Sequence, residues 1–142
     1  MADERRKFEV SLVTPDGAVF EGEAEMIIVP GDAGEIGVLA RHAPLVSMLR
    51  AGSTRVHVSP TDIREFATGP GFFKVETDRA LALVDDAINA KEIDVPRAEA
   101  QLAAAKAELV KITAGESDAD RWQVEQRIKH AENQLGVATG AR

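Results

Sequence analysis

The chain of 142 residues contains no cysteine, no tyrosine, one tryptophan (Trp122) and three histidines (His42, His57 and His130). Without cysteine there are no disulfides, thiolate metal sites or cysteine nucleophiles, which fits a reducing compartment. The three histidines lie far apart, and none stands at metal-ligand spacing with another histidine or a carboxylate pair. No apolar run approaches the roughly 20 residues that a membrane helix needs. The charged start, MADERRKFEV, has no apolar segment behind it, so a secretory signal is not expected. Basic residues are outnumbered, 17 Lys and Arg against 24 Asp and Glu, and the net charge is −7. Most of that excess falls in residues 1–90, with 9 basic and 15 acidic residues, while residues 91–142 hold 8 and 9. A chain without a basic stripe is a poor partner for nucleic acid.

What is present reads as a folded protein, with 44% hydrophobic and 29% charged residues. Up to about Asp86 it consists of short strands between turn signals. KFEVSLVT sets Phe8, Val10 and Leu12 on one face and Glu9 and Ser11 on the other, the alternation of a half-buried strand. Pro15-Asp16-Gly17 is turn chemistry. EMIIVP, GVL, LVSML, RVHV, REFAT, FFKVE and ALALVD follow as further strand candidates. Strands at this spacing predict a β-sandwich of about nine to ten strands over residues 1–90.

The period changes after Ala90. Ala98, Leu102, Ala105, Leu109 and Ile112 form one helical stripe, with Asp94 as N-cap, Pro96 in the first turn and Gly115 at the end. Ser117 and Asp118 are the next cap candidates, and Val124, Ile128, Ala131 and Leu135 form a second stripe. The short connection predicts an antiparallel two-helix hairpin over residues 91–142, so the fold class is α+β. The stripes are rich in alanine, which contributes far less on burial than Leu or Ile. Weak docking would make the hairpin a moving part, and a permanently docked pair is the equal alternative. Trp122 either anchors a contact with another protein or packs against the first helix.

No enzyme constellation is present. There is no nucleophile elbow, and Gly31, Gly34 and Gly37 match neither the dinucleotide nor the P-loop pattern. Those glycines are expected to serve tight turns and close strand approach. Asp85-Asp86 is expected to be solvated at a strand end, and His57, between Val56 and Val58, is expected to face solvent. Two features of the stretch GDAGEIGVLARHAPL, residues 31–45, stand out: Glu35, which reads as buried, and His42.

Over its whole length the sequence resembles the epsilon subunit of bacterial F-type ATP synthases, the counterpart of mitochondrial delta. The specific part is Gly-Glu-Ile-Gly-Val-Leu…His-Ala-Pro-Leu at Gly34–Leu45, supported by FEVSLVTPDGAVFEGEAEMIIVP before it, GPGFFKVETDRALALVDDA after it, and IDVPRAEA at Ile93–Ala100. The resemblance implies a non-catalytic rotor subunit of a proton-translocating synthase, peripheral on the cytoplasmic face of the plasma membrane. The sandwich would bind the gamma subunit and the c-ring. The hairpin would fold back or extend along gamma toward the catalytic alpha and beta subunits, inhibiting ATP hydrolysis. By position, Glu35 matches the residue facing the polar loops of the c-ring, and His42 the residue near gamma. A local hydrogen bond fixing the turn before Ala43-Pro44 is the other role open to His42.

Some members of that family bind ATP on the folded hairpin through an Ile/Leu-Asp-x-x-Arg-Ala motif, which Ile93, Asp94, Arg97 and Ala98 match. On the second helix, His130 and Gln134 stand where those members carry arginines. A triphosphate needs fixed positive charge, so ATP is expected to be at most a weak ligand, and no cofactor is expected. Arg97 has a local alternative in Asp94. The competing reading is a free-standing small-molecule-binding β-sandwich with a helical lid.

Overall fold

The computed structural model describes residues 6–140, so the charged start at residues 1–5 lies outside the described residues. The chain divides into two compact units, Met1–Asn89 and Ala90–Arg142.

The first unit has ten strands: β1 Phe8–Thr14, β2 Gly17–Ala24, β3 Met26–Gly31, β4 Gly34–Leu39, β5 Leu45–Leu49, β6 Gly52–Ser59, β7 Asp62–Thr68, β8 Gly71–Glu76, β9 Arg79–Val84 and β10 Ala87–Asn89. The eight expected strands are all present. The two missed, β2 and β10, are an acidic, glycine-containing strand and a three-residue strand, neither with a clear apolar alternation. The hydrogen-bonded order is β10-β7-β6-β3-β5-β8-β9-β1-β2, with β4 on the free side of β3. Strands β3 and β5 meet only at Gly31 and Leu49. That single bridge is a fold line. On one side lies the layer β10-β7-β6-β3-β4, on the other β5-β8-β9-β1-β2, and together they form a sandwich closed at one end.

Between the layers, Val10, Leu12, Ile27, Val29, Val38, Val56 and Phe73 are fully buried. The inward face of β9 is small: Ala80 opposes Val75 and Ala82 opposes Phe73 across the β8 ladder, and both alanines are buried. Small residues beside the large Phe73 leave room for its ring on the inner face of this layer. The consequence is that Leu81 and Leu83 point outward. One buried polar pair, Thr54 Oγ1 with Thr68 Oγ1 at 2.9 Å, is satisfied within the core.

The second unit begins with a 3₁₀ turn at Ala90–Glu92 and continues as two helices, α1 Val95–Thr113 and α2 Arg121–Thr139. Asp94 caps α1 by accepting the Arg97 N–H at 3.1 Å, with Pro96 in the first turn. Gly115, at φ 76°, follows the C-cap, and the Glu116 N–H closes on the Lys111 carbonyl at 2.8 Å. The cap of α2 is a correction: Asp120, rather than Ser117 or Asp118, accepts the Trp122 N–H at 2.9 Å. Ser117 instead folds the connection, donating to Glu108 Oε1 at 2.6 Å and accepting from the Ala119 N–H at 3.2 Å. Ala98, Ala105, Val124, Ala131 and Val137 are buried, and Leu102, Leu109, Ile112, Ile128 and Leu135 are half-buried around them.

Candidate partner-binding surfaces

Of the two residues singled out above, Glu35 lies near the start of β4 and His42 three residues past its end. Glu35 pairs with Pro30 one rung from the β3–β4 turn, and His42 lies in the crossover from β4 to β5. At about 3.3 Å per residue they are separated by on the order of 20 Å. They therefore lie toward opposite ends of the sandwich.

Glu35 is not buried: 52% of its side chain is exposed. The Arg55 guanidinium, reaching over from β6, binds both of its oxygens, at 3.0 and 3.2 Å. With the Arg55 side chain only 18% exposed and bonded to both oxygens, the pair fixes the direction of the Glu35 carboxylate. Gly34 beside it has φ +133°, a conformation that a side chain strains, and Gly31 has no room for a Cβ against Ile36 and the Gly34 carbonyl. Gly34 and Gly31 thus serve a turn and a close approach, as expected, whereas a Cβ at Gly37 would meet only Ile28 Cγ1 at 4.0 Å, so Gly37 serves neither.

The end of the sandwich near Glu35 is acidic for a topological reason. The ladder registers bring the turns β1–β2, β3–β4, β5–β6, β7–β8 and β9–β10 to this one end. Those turns contribute Asp16, Asp32, Asp85 and Asp86, with Arg50 their sole basic residue. The Asp85 N–H donates to the Pro70 carbonyl at 3.0 Å, and the Gly69 N–H to the Asp86 carbonyl at 2.8 Å, so the Asp85-Asp86 backbone ties two crossovers together. Asp85 is exposed, as expected, and Asp86 is half-buried.

At the other end, His42 is half-buried and its Nδ1 donates to the Ala43 carbonyl at 2.6 Å, the local turn bond considered above. Beyond it, β5 turns Val46 and Met48 outward, 62% and 58% exposed. Across the ladder they face Lys74 and Phe72 of β8, and Phe72 in turn faces Leu83 of β9, itself 42% exposed. This is a contiguous apolar surface on one layer, of the kind that soluble proteins expose where they bind partners. Sequence reading missed it, because alternation marks two faces of a strand without saying which is covered. The large-outside, small-inside pattern of β9 was the available signal.

The remaining candidates do not converge. His57 is half-buried on β6 rather than facing solvent. Among the described residues, no group of His, Cys, Asp or Glu could hold a metal ion. On the hairpin, Asp94 is engaged as the α1 cap through the Arg97 backbone, Ile93 is half-buried, Ala98 is buried, and Arg97 is exposed. On α2, His130 and Gln134 are hydrogen-bonded to each other at 3.1 Å. Trp122 is 66% exposed, so most of it faces solvent. With Val110, 68% exposed, it leaves apolar surface near the connection.

Residues 7–90 match the family model described as ATP synthase, Delta/Epsilon chain, beta-sandwich domain. The chain belongs to the ATP synthase delta/epsilon family. Its relatives extend over the hairpin as well. It is 33% identical over 141 residues to the ATP synthase epsilon chain of Rubrobacter xylanophilus, covering 97% of this chain and 96% of that one. It is 39% identical over 106 residues to the epsilon chain of Laribacter hongkongensis, 73% and 75% of the two chains. A third relative, 33% identical over 131 residues and covering 92% and 93%, is the sodium ion specific epsilon chain of Propionigenium modestum. Among solved structures, the fold matches a chain of the Euglena gracilis mitochondrial ATP synthase, OSCP/F1/c-ring, with TM-score 0.75 at 22% identity, over 99% of this chain and 85% of that one. It also matches a chain of the Tetrahymena thermophila mitochondrial ATP synthase central stalk and c-ring, with TM-score 0.56 at 15% identity, over 97% and 98%. No helix among the described residues is long and apolar enough to cross a membrane.

Proposed function

We propose that this chain is a non-catalytic central-stalk subunit of an F-type ATP synthase, joining the gamma subunit to the c-ring at the membrane's cytoplasmic face. One observation carries the reading: a single rigid sandwich presents an apolar face, Val46, Met48, Phe72 and Leu83, and next to it an acidic end with Glu35 held outward. Two chemically different surfaces suit a piece clamped between two partners. The apolar face, continuous with the His42 crossover, docks on gamma. The acidic end meets the polar loops of the c-ring, where charge complementarity fixes register more than it adds affinity. A free-standing ligand-binding sandwich has no supporting observation beside the family membership.

The hairpin is the regulatory part. Lys106, Lys111, Arg121, Arg127 and Lys129 are all exposed, as is Trp122, and these groups suit an acidic protein surface on the catalytic alpha and beta subunits. Few large side chains are fully buried between α1 and α2, which fits an element that partners can rearrange. ATP is at most a weak regulatory ligand, because α2 offers His130 and Gln134 where a triphosphate needs arginine. The coupling ion is not set by this chain, since the sodium-specific relative is as similar to it as the Rubrobacter one.

The test is reconstitution into membrane vesicles with Glu35→Lys. The variant should still capture gamma while ion-driven ATP synthesis falls several-fold. Normal synthesis with Glu35→Lys would remove the c-ring assignment, and a wild-type chain that fails to capture gamma would remove the whole reading.

A further inference from the structure

Two non-glycine residues among those described hold left-handed backbones, Arg41 at φ 64° and Asp78 at φ 55°. They are bonded to each other: the Arg41 N–H donates to Asp78 Oδ1 at 3.2 Å. Aspartate tolerates this conformation, but arginine gains nothing from it locally, so something outside residue 41 must hold it there. Asp78 is itself anchored. Its carbonyl accepts the Glu9 N–H at 3.1 Å, and its second carboxylate oxygen meets the Arg6 guanidinium at 3.5 Å. The segment leading into β1, the β8–β9 turn and the β4–β5 crossover therefore join on one side chain. Arg41 immediately precedes His42, and its backbone angle sets the direction in which His42, Ala43 and Pro44 leave β4.

We propose that Asp78 is a positioning residue for partner docking: its carboxylate latches the Arg41 N–H and so aims the His42–Pro44 crossover at gamma. The proposal rests on the reading that this crossover, running into Val46, borders the gamma-docking face. Asp78 touches no partner in it. It acts through Arg41.

The test uses the full chain with isolated gamma, reading dissociation constants by titration and hydrogen exchange of the Arg41 amide by NMR. Asp78→Gly keeps the backbone angle accessible but removes the acceptor. Arg41 exchange should accelerate by about tenfold and gamma binding weaken about three- to tenfold, the size of one hydrogen bond. Asp78→Asn keeps an Oδ1 acceptor and the backbone tolerance while losing the charge, so both readouts should stay within about twofold of wild type. Adding Arg41→Gly to Asp78→Gly should recover most of the lost affinity, because glycine adopts the left-handed angle without a latch. A merely structural Asp78 would show no such rescue. Unchanged Arg41 exchange in Asp78→Gly, or Asp78→Asn binding as weakly as Asp78→Gly, would overturn the latch. His42→Ala binding gamma as tightly as wild type would overturn the docking role of the crossover, and the proposal with it. The exchange data, which do not involve gamma, keep that failure separate from failure of the latch.

Discussion

Replacing Val46 and Met48 together by threonine tests the docking face directly. Threonine keeps a β-branched side chain suited to a strand, so β5 should persist. In the free chain the two side chains are 62% and 58% exposed, so the sandwich loses little by their change, within about 0.5 kcal/mol per site. In the complex the remaining exposed parts would be covered. Fully burying a Val or Met side chain gives roughly 1.5–3 kcal/mol, so three-fifths of each gives about 1–2 kcal/mol. Association returns less than area implies, since ordering and imperfect packing oppose it, and the pair is therefore expected to contribute about 2 kcal/mol. That is roughly a 30-fold rise in the dissociation constant for gamma. The assay is titration of the full-length chain against gamma, with thermal unfolding of the free chain alongside. Ile63→Thr is the control: Ile63 is 48% exposed but lies on β7, in the other layer, so gamma affinity should not move. A double variant that binds within twofold of wild type, or an Ile63 variant that loses as much, would refute the assignment.

Two further outcomes follow from the hairpin. Deleting the chain from Ile93 onward should raise ATP hydrolysis by the assembled enzyme while synthesis is largely kept, because coupling is assigned to the sandwich alone; both rates on membrane vesicles decide it. Calorimetric titration of the wild-type chain with ATP should show weak binding or none, and His130→Arg with Gln134→Arg should tighten it, since the arginines supply fixed charge and remove the His130–Gln134 bond. A tight site in the wild type would contradict the first expectation.

What could be read from the amino acids alone was whatever rests on local spacing. The Phe8-Val10-Leu12 alternation, the Asp94-to-Pro96 start of α1 and the switch of period near Ala90 are each decided within a few residues, by strand geometry, capping and helical pitch. The Gly34–Leu45 motif carried the family. What depends on distant residues was not legible. Glu35 reads as buried, yet it shares the exposed face of β4 with Gly37 and Leu39, and its carboxylate is held by Arg55, two strands away across β3. Trp122 has an apolar stripe close by in sequence, but its place at the start of α2 turns it to solvent. The acidic end exists only because the turns β1–β2, β3–β4 and β9–β10, far apart in the chain, are brought together by the ladder registers. The exposed apolar face is the clearest case. In ALALV the larger leucines would be assigned to the core, but Phe73 and Val75 on the neighbouring strand leave room only for alanine. A strand's alternation defines two faces, and only the volume of what packs against one of them decides which is inside.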